Sequence, residues 1–362
     1  MSQMPTPLGN QLDMLPPEVR ADAEAALGYI SHCQAANTRS AYDSDRRLFQ
    51  AYCAAYGFQP LPALSGVVVT WLAWMDRATG EDDPIQPGRP ALSPNTIARR
   101  LAAVNAWHRE HNYAPPGNNP EVQKTLGGIK RHRGTSPQAK TPLLTEDVRR
   151  MAALCDRSTP SGLRDRALIL LGFGGAFRRS ELAGLNVSDI RFPHGARGII
   201  VHLERSKGDQ QGEGRAVSVL EKEPGLCPVR ALQEWLDIAG MGQPGPEGQV
   251  DEGPLFRTIK RNGEIPRVIR HRIRKEDPLD EKPNRLGPKS IGAIISRYAA
   301  AVGHNPATIG AHSLRSGYVT SALLAGAPMN RIQDVTGHRH IETLMRYYRY
   351  SGAWEDHPSL HL

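Results

Sequence analysis

Cysteine is scarce in this chain of 362 residues, and its four copies, Cys33, Cys53, Cys155 and Cys227, lie far apart. No paired spacing is present that would hold a zinc ion or form a redox couple, so they read as reduced thiols of a cytoplasmic protein. No uninterrupted apolar stretch approaches the roughly 20 residues that span a bilayer. A basic patch followed by an apolar run is also missing from the first residues, so neither secretion nor membrane insertion is expected. Acidic residues are nearly absent from two stretches. Glu264 alone stands among Arg257, Lys260, Arg261, Arg267, Arg270, Arg272, Arg274 and Lys275, and Lys130, Arg131, His132 and Arg133 follow Lys124. Either run taken singly reads as a solvated surface; with the formal charge of +8, the two favour a polyanionic partner.

The length suits two domains with separate cores, since single domains usually run to about 100 to 200 residues. Residues 1–25, rich in proline and small polar residues, are expected to form a flexible leader. Residues 26–133 read as an all-helical unit. Asn37 caps a helix with Tyr42, Phe49, Tyr52 and Tyr56 at helical spacing, ended by Gly57. Val68, Trp71, Leu72 and Met75 mark a second helix, closed near Gly80. Ser93 before Pro94 starts a third, with Ile97, Leu101, Val104 and Trp107 on its apolar face. A short fourth runs from Glu121 to Arg133. These aromatic stripes read as core. Residues 134–141, with Gly, Ser, Thr and Pro and no apolar period, form the linker. In residues 142–362 helix resumes near Thr145, and the apolar run Arg164 to Phe173 forms a buried helix ending in glycines. Segments Gly198–Leu203 and Ala216–Leu220 read as strands of a hairpin with Lys207 near its tip. Pro228 to Ala239 returns to helix, Asn262-Gly263 marks a turn after Leu255 to Ile259, and Gly326 stops a later helix. The fold class is mainly α with a small β component, an α+β second domain following a helical one.

The chemistry lies in the second half. Arg178 opens a helix just past the buried one, where a guanidinium beside free backbone N–H groups suits phosphate oxygens, and Glu181 is spaced to orient it. His312 and Arg315, three apart, share a face if their segment is helical. His338 follows a glycine, and Tyr347 lies nine residues on. Each alone is an ordinary surface or packing residue. Together with Lys207 they supply what phosphodiester cleavage needs: cations around the non-bridging oxygens, an in-line nucleophile and a proton for the departing oxygen. That chemistry turns the polyanionic partner of the basic runs into nucleic acid.

With those residues in this order the chain resembles the tyrosine recombinases of the phage integrase family, and the Cre-like branch in particular, over about residues 30 to 350. Arg178 with Ser180 and Glu181 matches the first arginine box, Lys207 the hairpin lysine, His312 and Arg315 the histidine and second arginine, His338 the histidine-or-tryptophan position, and Tyr347 the nucleophile. Leu255, Phe256 and Lys260 to Gly263 are similar to the Cre-type hairpin region. Arg179 stands where an aliphatic residue is usual, which leaves the identity of the phosphate arginine open. Tyr348 adjoins Tyr347, and the spacing from His338 selects the first.

The resemblance implies a C-shaped two-domain clamp on DNA, with a helical core-binding, SAM-like domain ahead of the catalytic one. It implies a Tyr347 phenolate that attacks phosphorus to leave a 3′-phosphotyrosine, His312 taking the proton, Arg178 and Arg315 stabilising the pentacoordinate state, Lys207 protonating the leaving oxygen and His338 bonding the phosphate. No metal or other cofactor is implied. The partner is double-stranded DNA with inverted-repeat recombination sites, in a nucleoid-associated setting, with four protomers acting through a Holliday junction and the tail beyond Tyr350, with Trp354 and Leu360, docking on a neighbour. Candidate DNA contacts are Arg99, Arg100, Lys130, Arg131, Arg133, Lys260, Arg261, Arg270, Arg272, Arg274 and Lys289. The rival readings are relaxation of supercoils in the manner of a type IB topoisomerase, and a DNA-binding architectural protein without cleavage.

Overall fold

The structure, a computed structural model, describes residues 15–32, 36–135, 140–203, 214–241, 253–266, 284–310, 312–338, 341, 342, 344, 345 and 347. The chain divides into two compact units, Met1–Pro137 and Gln138–Leu362. Among the described residues it is mainly helical with one small antiparallel sheet.

The first unit holds α1 (Pro17–His32), α2 (Ala36–Ala55), α3 (Ser65–Asp76), α4 (Pro94–Glu110) and α5 (Pro120–Arg133). α1 corrects the expectation of a flexible leader through residue 25. Alanine dominates Arg20 to Ala26, and this strongest of helix formers outweighs the prolines before it. α4 starts at the expected step: Ser93 is its N-cap, its hydroxyl accepting from the Thr96 N–H, with Pro94 at the first helical position. Its face of Ile97, Leu101, Val104 and Trp107 meets Phe49, Tyr52, Trp71, Leu72 and Met75 in one buried cluster, so these residues are core, whereas Tyr56 of the first stripe is exposed. His108 is sealed in as a neutral ring, its Nδ1–H donating to Val104 O and its Nε2 accepting from Ala63 N–H, and burial lowers its pKa.

The second unit holds α6 (Thr145–Ala153), α7 (Pro160–Gly174), α8 (Arg179–Gly184), β1 (Ile190–Arg191), β2 (Gly198–Leu203), β3 (Arg215–Leu220), α9 (Pro228–Ala239), α10 (Pro288–Ala301), α11 (His312–Leu324) and α12 (Met329–Thr336). The sheet runs β1-β2-β3, all antiparallel, and β2 pairs with β3 from Gly198↔Leu220 to Leu203↔Arg215. Ile199, Val201 and Leu203 alternate inward and join Val217 and Val219 against α7 and α9. α7 begins four residues before the expected Arg164, because Thr159 caps it with Pro160 at the first position. α11 lies close on the chain before α6: a Cβ on Gly317 would fall 1.7 Å from Leu143 O, so only glycine fits.

The Lys260 to Gly263 turn forms, with Gly263 at φ 82°, and among the described residues the chain before it makes isolated bridges, Asn186↔Pro254 and Arg257↔Arg285; the second arm of the expected hairpin, from residue 267 on, lies outside the described residues. Another expectation needs correcting. Arg257 is fully buried, donating to the carbonyls of Pro254 and Pro266 at 2.8 Å, so it is a staple of the fold and no surface cation. Lys207, Arg267, Arg270, Arg272, Arg274, Lys275, Tyr348, Trp354 and Leu360 lie outside the described residues.

Candidate active site

α7 ends in glycine and its chain reverses through Ala176, which takes a positive φ of 50° and turns its carbonyl toward α11. That reversal delivers Arg178 as the N-cap of α8. Glu181, buried at 5 % exposure in the first turn, accepts the Arg178 backbone N–H at 2.7 Å through Oε2 and the Arg178 guanidinium at 2.6 Å through Oε1. One carboxylate thereby caps the helix and fixes the side chain. Arg179 is turned away, its guanidinium lying against Gly292 of α10, so of the two neighbours it is Arg178 that joins the cluster described next.

Arg315, one turn into α11, has 0 % exposure. Its Nη1 donates to Ala176 O at 2.7 Å, and its Nη2 donates to Thr336 O at 2.6 Å and to His338 Nε2 at 3.2 Å. Its Nε is buried without a hydrogen-bond partner. Burial, and next the Arg178 charge, lower its pKa to about 10, so it stays cationic at neutral pH. Because a guanidinium only donates, His338 Nε2 must be an acceptor and Nδ1 must carry the hydrogen. That N–H meets Thr336 Oγ1 at 2.7 Å, whose own hydroxyl is spent on Ile332 O. Burial first, then the charges of Arg315 and Arg178, push the His338 pKa down to about 3. The ring is neutral.

His312, the first residue of α11, puts its Nε2 3.1 Å from the Tyr347 hydroxyl. Tyr347 is half-buried in a small apolar cluster with Val319 of α11, Ile332 of α12 and Leu344 beyond them. The Arg315 guanidinium feels the Tyr347 oxygen as well as Arg178, Glu181 and Arg215. Five of the six expected catalytic residues therefore come together, and the sixth, Lys207, lies outside the described residues.

Arg215 was not anticipated. It opens β3, its Nη1 donates to Val335 O at 2.8 Å, and its Nη2 lies 3.7 Å from Glu181 Oε2. Its pKa is lowered by burial. The signal was the strand period: in Arg-Ala-Val-Ser-Val-Leu, Arg215 is in phase with the buried Val217 and Val219, so an arginine occupies an inward position. Among the described residues, three guanidiniums, of Arg178, Arg215 and Arg315, thus face one carboxylate, Glu181. Such an excess of buried positive charge is costly unless an anion completes it, and a phosphodiester is an anion of the right size and geometry for forked donors.

The residues 142–352 match the model of the phage integrase family. The chain belongs to that family. A relative described as an integrase/recombinase xerD homolog from Selenomonas ruminantium is 31 % identical over 331 residues, covering 90 % of this chain and 85 % of its own. A tyrosine recombinase XerC from Pelobacter propionicus is 26 % identical over 332 residues, covering 87 % and 85 %. Among solved structures, the Tn1549 transposon integrase with transposon right end DNA aligns with a TM-score of 0.54 at 16 % identity over 95 % of both chains. A lambda integrase dimer bound to a COC′ core site aligns at 0.52 and 14 %, covering 90 % and 92 %. These structures show that the integrase-family fold is shared.

The expected DNA contacts fare unevenly in this family member. Arg99 is half-exposed and Arg100 is 15 % exposed, and both pair with the buried Asp45; Arg100 also reaches Met75 Sδ. Arg100 is thus a cation of the helical core. Arg133 ties α5 down through Asp76 and the Leu92 carbonyl. Lys130 is half-buried, Arg131, Arg261 and Lys289 are exposed, and Lys260 is exposed but paired with Glu264 at 2.7 Å. No group of residues fit to hold a metal ion occurs among the described residues, and none of their helices is long and apolar enough to cross a membrane.

Proposed function

We propose that this protein is a site-specific DNA recombinase that breaks and rejoins strands through a 3′-phosphotyrosine on Tyr347. The observation that carries the reading is the Tyr347 hydroxyl hydrogen-bonded to His312 within the field of three arginines gathered around Glu181. His312 takes the phenol proton as the oxygen attacks phosphorus, and Arg178 and Arg315 meet the non-bridging oxygens as negative charge grows there. Lys207 supplies the proton to the departing 5′-oxygen. The sequence suggested that His338 bonds the phosphate. With its Nε2 lone pair already on Arg315, it serves instead to hold that guanidinium in place. The covalent link conserves the energy of the broken bond, so a 5′-hydroxyl from a second duplex can reverse the step. Strand exchange between paired sites requires four protomers and a Holliday junction, and double-stranded DNA with inverted repeats is the substrate. The relatives named above are of the Xer type, and the reading leans to that branch more than to the Cre-like one that the motifs suggested.

The test is a suicide substrate, nicked near the cleavage point and carrying inverted repeats found beside the gene. Wild-type protein should form a covalent adduct and Tyr347→Phe none. An adduct that survives in Tyr347→Phe, or relaxation of plasmids lacking any such site, would reject the reading.

A further inference from the structure

Two arginines from different elements cap the same helix end. The last carbonyls of a helix have no partner within it, and cations are favoured there. On α12, Thr336 O is taken by Arg315 and Val335 O by Arg215, at 2.6 and 2.8 Å. The chain then turns through Gly337 in the left-handed region at φ 63°, and a Cβ there would meet Arg215 Nη1 at 2.7 Å and Cζ at 3.0 Å. The guanidinium of Arg215 therefore lies directly against the backbone that presents His338. Gln333 closes the turn by donating to His338 O at 2.7 Å. On its other side Arg215 approaches Glu181, the carboxylate that fixes Arg178. Its backbone is anchored as well, at the last pair of the β2–β3 ladder.

We propose that Arg215 is a positioning residue of this site: it joins the sheet to the end of α12, so that His338 meets Arg315, and steadies Glu181 behind Arg178. The inference rests on the recombinase reading for its catalytic consequence, while the placing of His338 can be observed without catalysis. Arg215 itself need not touch DNA.

In protein with nitrogen-15-labelled histidine, the His338 ring of the wild type should show the neutral form protonated on Nδ1, and Arg215→Met should blur it into a mixture of tautomers. An unchanged spectrum overturns the inference whatever the cleavage rate. On the suicide substrate, Arg215→Met should slow single-turnover cleavage by about tenfold to a hundredfold, the usual range for one lost charged hydrogen bond. DNA affinity should stay within about twofold. Arg215→Lys should recover part of the rate. In a His338→Ala background the same Arg215→Met change should cost severalfold less than in the wild type, because one of its two targets is gone and only the support of Glu181 remains. Equal losses in both backgrounds would reduce Arg215 to a stabilising residue and refute the proposal. Should Arg215→Met fail to fold, Gly337→Ala pushes a methyl into the same guanidinium and should give the same spectrum and rate loss. Absence of any wild-type adduct would sink the recombinase reading, with the histidine spectrum still deciding the positioning role.

Discussion

Replacing Glu181 with glutamine removes the one carboxylate among the described residues that the arginines share, and almost nothing else. In the wild type both of its oxygens are engaged, Oε1 on the Arg178 guanidinium and Oε2 on the Arg178 N–H, with Arg215 3.7 Å away. A glutamine keeps one acceptor oxygen, and its amide nitrogen must then face the other donor, leaving an N–H unsatisfied. The side chain of Glu181 is 2 % exposed and that of Arg178 20 %, so water offers little relief. Breaking a buried ion pair by removing one partner costs about 3–5 kcal/mol. For a unit of this size about 1 kcal/mol moves the melting point by roughly 2–4 °C, so the variant should melt about 6–20 °C lower. The three guanidiniums of Glu181→Gln retain their charge, so duplex DNA should raise its melting point by more than it raises that of the wild type. Scanning calorimetry with and without DNA measures both quantities. A melting point within 2 °C of wild type, or equal stabilisation by DNA, would show that Glu181 does not neutralise this cluster.

Arg315→Lys should lose about a hundredfold to a thousandfold in single-turnover cleavage, since an ammonium cannot reach Ala176 O, Thr336 O and a phosphate together. A rate within tenfold of wild type would contradict that role. The pH dependence of stability follows from His338, whose folded pKa lies near 3 while an unfolded histidine titrates near 6.5. Below pH 6.5 the unfolded chain takes up a proton that the folded site refuses, so stability is full above that pH and falls as pH drops toward 3. Urea midpoints at pH 7 and pH 5 should therefore differ less in His338→Gln than in wild type, and an equal difference would refute the buried neutral ring.

How far the sequence was legible depended on whether a residue's role was local. Ser93 before Pro94 fixes a helix start by its own chemistry, and α4 begins there. Thr159 before Pro160 carries the same signature but was hidden by the more conspicuous apolar run after it. Order and spacing were enough to collect Arg178, His312, Arg315, His338 and Tyr347, because that pattern belongs to the whole half-chain. What spacing cannot show is which way a cation faces. Arg257 sits in the most basic run of the sequence and is sealed around two carbonyls, and Arg100 is drawn inward by Asp45. Arg215 is the converse case, a residue beside a polar, glycine-bearing stretch that the strand period turns inward to the site.

Mass spectrometry of the digested covalent complex tests the central claim most directly. Fragmentation should assign the nucleotide, joined through its 3′-phosphate, to the Tyr347 oxygen. A nucleotide on Tyr348 or any other residue, or a complex that dissociates without a covalent bond, would contradict the account.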